Sequence, residues 1–276
     1  MYKNFSDAYR IGKVLYIDKE LAAIPNLHRG YDNGDPVVRL YGKNNKTEKI
    51  YYLSRAQNLK YADLADRRAN LQDLKKRLIR SLKRNVHPGE YKIEVTAAYK
   101  LTKRNWDRMK SQSHPRPVNT DYWFEGLNMR SRFEVNVAIT LRKLGLDFKY
   151  EPCITIGGNS YHPDFVVYLP EFEVCFIIEC MGRIGDGSYS NDVKHKLIAL
   201  LDNGYLPFRD FLLLGGRSDY IPTKDWVEDA IVSIVNSIAG ECVIPESRVI
   251  VRNEQDPLIN LIPPDIAALL EREWTE

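Results

Sequence analysis

A chain of 276 residues with 44% hydrophobic side chains can bury a core of its own, as one large domain or two small ones. No run of 18 apolar residues occurs, which excludes a membrane-spanning helix, and the opening Met1-Tyr2-Lys3-Asn4-Phe5-Ser6-Asp7 has no apolar stretch of the leader-peptide kind, so a cytoplasmic protein is expected. The net charge of +3 conceals a split: 26 Lys/Arg against 12 Asp/Glu up to residue 118, then 14 against 25. A basic half of this kind suits a polyanion. The four cysteines, Cys153, Cys175, Cys180 and Cys242, form no CxxC pair, and five scattered histidines give no zinc spacing; reduced thiols are expected.

Along the chain, the first fifty residues read as β-rich, with short strands at 13–17, 36–41 and 49–53 between Gly/Asn/Asp turns. Residues 54–84 then follow a helical spacing of leucines, and from Ala56 to Arg84 there are nine basic and three acidic residues. Asn85 and His87-Pro88-Gly89 end this helix, and a strand is expected at 91–97. Residues 100–110 are basic again and contain Trp106, whose expected place is in the core. The run Ser111-Gln112-Ser113-His114-Pro115-Arg116-Pro117 has the composition of a linker. These features define a basic α+β region, 1–117, with Arg67, Arg68, Lys75, Lys76, Arg77, Arg80, Lys83 and Arg84 as the expected nucleic-acid contacts.

Beyond the linker the spacing predicts a helix over 129–144, striped by Phe133, Val137, Leu141 and Leu144 and stopped by Gly145. Strands follow at 147–156, 163–169 and 173–180. A Gly-rich loop at 182–188 lacks the GK[ST] of a phosphate loop and reads as a plain connection. A helix over 189–203, a nearly all-apolar strand at 210–214 and a helix over 224–239 complete an α-β-β-β-α-β-α order. Residues 241–276, with eight acidic and three basic residues, read as an acidic tail. The core is thus expected at 118–240.

Two acidic residues sit where burial gains nothing from them. Asp164 opens the apolar run Phe165-Val166-Val167-Tyr168-Leu169, and Glu179 closes Val174-Cys175-Phe176-Ile177-Ile178. A short turn joins the two runs, so they pair antiparallel and both carboxylates fall at the same open end. Two like charges there repel unless a cation lies between them, and oxygen donors suit Mg²⁺ or Mn²⁺.

Here the chain resembles the PD-(D/E)XK nuclease superfamily. His162-Pro163-Asp164, with Glu179 fifteen positions on, is similar to its signature, the element order resembles its core, and Glu134 lies on the helix before the first strand, at the flank of the apolar stripe. The resemblance covers roughly residues 125–240. It implies an α/β fold of the restriction-endonuclease-like kind, a mixed sheet flanked by helices. It also implies a metal held by Glu134, Asp164 and Glu179, with Asp164 and Glu179 catalytic. The family lysine two residues after the glutamate is missing, since Met181 stands there. Lys194 or Lys196 of the following helix can supply it, and the stripe drawn through Val193, Leu197, Ile198, Leu200 and Leu201 favours Lys194. The expected function is a metal-dependent DNA endonuclease, acting as a homodimer or with a partner protein. The alternatives are an inactive nuclease-like subunit that binds DNA or assembles with other proteins, and a structural protein whose basic helix meets an acidic surface.

Overall fold

The computed structural model describes residues 4–95, 98–116, 118–182, 187–217 and 220–246, with 187–193 described through the backbone alone. The chain runs α1 (Asp7–Ala23), β1 (Leu27–Asp32), β2 (Asp35–Tyr41), β3 (Thr47–Tyr52), α2 (Leu59–Ser81), β4 (Tyr91–Ile93), β5 (Leu101–Thr102), α3 (Lys103–Arg108), β6 (Trp123–Phe124) and β7 (Leu127–Asn128). It continues with α4 (Arg132–Leu144), β8 (Asp147–Tyr150), β9 (Ile154–Ile156), β10 (Asn159–Tyr161), β11 (Phe165–Leu169), β12 (Val174–Met181), α5 (Gly187–Asp202), β13 (Phe211–Gly215), α6 (Lys224–Cys242) and β14 (Val243–Pro245). This is a mixed α/β protein. No helix among the described residues is long and apolar enough to cross a membrane.

The central sheet has the order β13-β12-β11-β8, with β12 and β13 parallel and the other pairs antiparallel. Every side chain of β11 and β12 is buried, as expected of strands covered on both faces. Alternation sorts them. Phe165, Val167, Leu169, Phe176 and Ile178 join α4 and α6 in the main core, while Val166, Tyr168, Cys175 and Ile177 face Leu197 and Leu200 of α5. Each fully buried side chain of this size contributes about 1.5–3 kcal/mol.

The expected strand at 13–17 is instead part of α1. Ser6 caps that helix by accepting from the Tyr9 amide, and the β-branched Val14 and Ile17 lie one turn apart on a face that packs against Leu78 of α2. Tyr9 and Ile11 reach into the main core. The meander β1-β2-β3, turned at Asn33-Gly34 with both φ positive (49° and 93°), packs Leu27 and Val38 on Ala62 and Ala65 of α2. The expected strand 147–156 is broken at Pro152 into β8 and β9, because proline cannot continue the ladder.

The boundary expected after residue 117 does not separate compact units, which are Met1–Ile244 and Pro245–Glu276. β5 adds to the same edge of β12 that β13 occupies further on, pairing Thr102 with Val174. Nor do residues 111–116 form a linker. The Gln112 and Ser113 amides donate to the Tyr150 and Glu151 carbonyls at 2.7 and 3.0 Å, so the segment lies against the end of β8. The tail expected from residue 241 lies mostly outside the described residues.

Candidate functional site

The register Phe165↔Ile178 places Asp164 and Glu179 next to each other at the open end of the β11–β12 hairpin. Both have the parity of Val166 and Ile177, the α5 face of the sheet. Asp164 is anchored twice: its carbonyl accepts from the Glu151 amide at 2.9 Å, and its Oδ2 accepts from the Cys180 amide at 2.6 Å. Glu179 is buried; its Oε1 accepts from the Tyr161 hydroxyl and its Oε2 from the Lys196 ammonium, each at 2.8 Å.

Glu134 approaches from the other face. It is the third residue of α4, where Ser131 caps the helix and also donates to Glu134 Oε1 at 2.9 Å. Its Oε2 accepts from the Tyr150 hydroxyl at 2.7 Å and the Arg130 amide at 3.0 Å. Three carboxylates therefore lie toward one end of the sheet, each oriented by its own donors.

Burial, then the neighbouring Asp164, pushes Glu134 up to about 7 against the pull of Tyr150, Ser131 and the Arg130 amide. Burial and Asp164 likewise raise Glu179 to about 7 in spite of Lys196 and Tyr161. Asp164 is raised by burial, while Lys196 and the Cys180 amide oppose the shift. The Cys180 thiol is pushed well up, by burial first and then by Asp164, Glu134 and Glu179.

This donor set fits a hard divalent cation. All the donors are carboxylate oxygens, Asp164 Oδ1 takes no hydrogen bond from a described residue, and Glu134 and Glu179 keep lone pairs beyond their present bonds. Among the described residues no three His, Cys, Asp or Glu side chains are gathered closely enough to make a ready-formed metal centre. Tyr150, Ser131 and Arg130 hold Glu134, and Tyr161 and Lys196 hold Glu179, in their separate positions.

The lysine favoured from the stripe is corrected. Lys194 is exposed, whereas Lys196 bonds Glu179. The stripe counted Ile198 and Leu201 as inward, but these are 52% and 45% exposed; Leu197 and Leu200 face the sheet, which turns the inner side toward Lys196. His195 is exposed and stands apart from the site. His162 packs its ring 4.9 Å from His114, and its buried Nδ1 has no hydrogen-bond partner among the described residues. The loop at 182–188 falls mostly outside the described residues.

The eight basic residues expected to touch nucleic acid divide in half. Arg67 and Lys75 pair with Glu20 and Asp18 of α1, Arg77 pairs with Asp73 at 3.0 Å, and Arg68 donates to the Leu21 and Ile24 carbonyls at 3.0 and 2.8 Å. These bonds tie α2 to α1 or lie along α2. Lys76, Arg80, Lys83 and Arg84 are exposed and make no ion pair with a described residue. Trp106, expected in the core, is half-buried against its edge, where it stacks on Tyr168 at 5.2 Å beneath the Lys149 ammonium.

The sequence reading missed Tyr150, Tyr161 and Arg130. Only the position of Tyr161, directly before His162-Pro163-Asp164, marked any of them. Comparison of the chain with protein-family models, with curated proteins and with solved structures finds no match in any of the three.

Proposed function

We propose that this chain is a Mg²⁺- or Mn²⁺-dependent endonuclease that hydrolyses DNA phosphodiester bonds, built on a restriction-endonuclease-like core. The observation that carries this reading is the convergence of Glu134, Asp164, Glu179 and Lys196, from two helices and a hairpin, at one end of the sheet. Glu134, Asp164 and Glu179 would hold the divalent ion, which would supply an acidified water and charge neutralisation at the scissile phosphate. Tyr150 and Tyr161 fix the orientation of Glu134 and Glu179. Lys196 is partly exposed, so its ammonium can turn from Glu179 to a phosphate oxygen and stabilise the charge that develops there. The exposed ridge of Lys76, Arg80, Lys83 and Arg84 supplies backbone contacts.

The test is cleavage of plasmid, duplex, flap and junction DNA with Mg²⁺, with Mn²⁺ and with chelator. Metal-dependent cleavage that Asp164→Ala abolishes is expected; undiminished cleavage by that variant overturns the assignment. One observation favours a second reading, a DNA-binding or assembly subunit without catalysis: the Lys196 ammonium already neutralises Glu179, and Met181 stands where the family has lysine. DNA binding with no cleavage under any metal would select it.

A further inference from the structure

Beside the carboxylates opens a cavity of about 480 Å³, lined by Gln112, His114, Arg116, Trp123, Asn128 and Glu151 among others. It adjoins the site through three contacts. The Glu151 amide bonds the Asp164 carbonyl, the Arg130 amide bonds Glu134 while its guanidinium bonds Glu151, and the His114 ring packs on His162.

The wall carries three features that folding does not require. Trp123 is 60% exposed although its hairpin is firmly fixed. Phe124 and Leu127, paired on the hairpin's other face, pack on the main core. The turn Glu125-Gly126 has both φ positive (48° and 80°), and Arg142 clamps Glu125 with bonds of 3.1, 3.1 and 2.6 Å. Asn128, directly across from Trp123, is only 9% exposed. One end of its amide is tied to Thr120 Oγ1 at 2.8 Å; whichever way the amide is turned, the other end takes no bond from a described residue. Arg116 is exposed and makes no ion pair with a described residue, whereas the guanidinium of Arg130 is committed to Glu151, His114 and the Arg116 carbonyl. The acid of the cavity is therefore neutralised and a free cation stands at its edge.

We propose that this cavity receives an unpaired nucleobase of the bound strand, stacked on Trp123, with its edge at Asn128 and an adjacent phosphate at Arg116. An aromatic face, an amide with one end open toward the cavity and an exposed guanidinium together match the face, edge and backbone of a nucleotide. A base inside a duplex offers no face to the indole, so the ligand is single-stranded nucleic acid or a strand opened at that point. The proposal rests on the nuclease reading for its placement beside the scissile phosphate, but base binding is measurable without cleavage.

The experiment is fluorescence anisotropy with the full chain in chelator. The probes are one labelled oligonucleotide as single-stranded DNA, the same sequence as RNA, and the DNA annealed to its complement. Trp123→Ala is expected to weaken single-strand binding by about 5- to 150-fold, the equivalent of one stacked base. Trp123→Phe should retain binding within about threefold, and neither variant should move duplex binding by more than about twofold. Arg116→Ala should flatten the slope of log K against log salt for the single strand by about 0.7. Equal losses on DNA and RNA assign the contact to the base; loss on one alone assigns the preferred sugar. Failure of wild type to bind single strands, no loss in Trp123→Ala, or an equal loss on duplex would each overturn the proposal. If the single-strand effect holds while no metal supports cleavage, the nuclease reading fails and this one stands.

Discussion

The β11–β12 hairpin holds a buried glutamate at each end, and each is served by a lysine and a tyrosine from another part of the chain. At the turn, Glu171 takes the Lys13 ammonium and, at 3.3 Å, the Tyr9 hydroxyl, both from α1. At the open end Glu179 takes Lys196 and Tyr161. The trio is the same and the surroundings differ. The Lys13 side chain is 13% exposed, against 43% for Lys196. Burial first, and then the neighbouring Asp164, push Glu179 up to about 7, and the same two causes raise Glu134. A buried Glu-Lys-Tyr cluster alone is thus a rivet between elements. Surplus negative charge and a half-exposed lysine are what distinguish the open end and make it the candidate site.

Glu171→Ala gives the largest expected effect on folding, a loss of about 3–5 kcal/mol in urea unfolding, because it leaves Lys13 buried without this partner. Glu179→Gln should cost under about 1 kcal/mol, since the half-exposed Lys196 regains water. Comparable losses at both ends would erase the distinction. Next in size, Lys196→Ala should slow cleavage by about 10²- to 10³-fold at saturating DNA while Lys194→Ala leaves the rate within about twofold. Equal rates in the two variants would return Lys196 to the class of Lys13.

The smallest effect concerns pH. A glutamate titrates near 4.5 in the unfolded chain, and Glu134 and Glu179 titrate at about 7 when folded. Between those values the folded protein keeps protons that the unfolded chain has released, so the stability they contribute is full below about pH 4.5 and lost as pH rises through 7. Metal-free protein should therefore be less stable at pH 8 than at pH 5.5, by on the order of 2 kcal/mol for each of the two groups. Mn²⁺ should restore stability at pH 8 and add little at pH 5.5. Denaturation at both pH values, with and without Mn²⁺, checks this. An unchanged pH slope in the Glu134→Gln/Glu179→Gln double variant would refute the assignment.

Much of the site-bearing half could be read from the chain because its signals are strong: the 3.6-residue stripe of α4, the continuous apolar runs of β11 and β12, and acids placed against those runs. The errors have physical causes. Lys13-Val14-Leu15-Tyr16-Ile17 is rich in β-formers, but packing on two sides overrides that propensity and makes it a helix. Residues 111–116 look like a linker by composition, yet their backbone groups find partners on β8, which composition does not reveal. The preference for Lys194 assumed that apolar residues on a helix all face inward, and Ile198 and Leu201 do not. Tyr150 and Tyr161 lay hidden among 17 tyrosines, because a hydroxyl's partner is set by tertiary structure alone.

The way the N-terminal region closes the fold also sets a timetable for its synthesis. Thr102 pairs with Val174, 72 residues later, and the amide of Ser6, at the cap of the first helix, bonds Asn236, 230 residues later. At roughly 5–20 residues per second on the ribosome, the β5 segment waits about 4–14 s for its strand partner and the first helix about 12–46 s for α6. Until then Phe5, Tyr9 and Ile11 lack the part of their core that α6 supplies. These apolar side chains of α1 and its cap thus stay partly uncovered until α6 follows, and chaperone demand should fall on this segment.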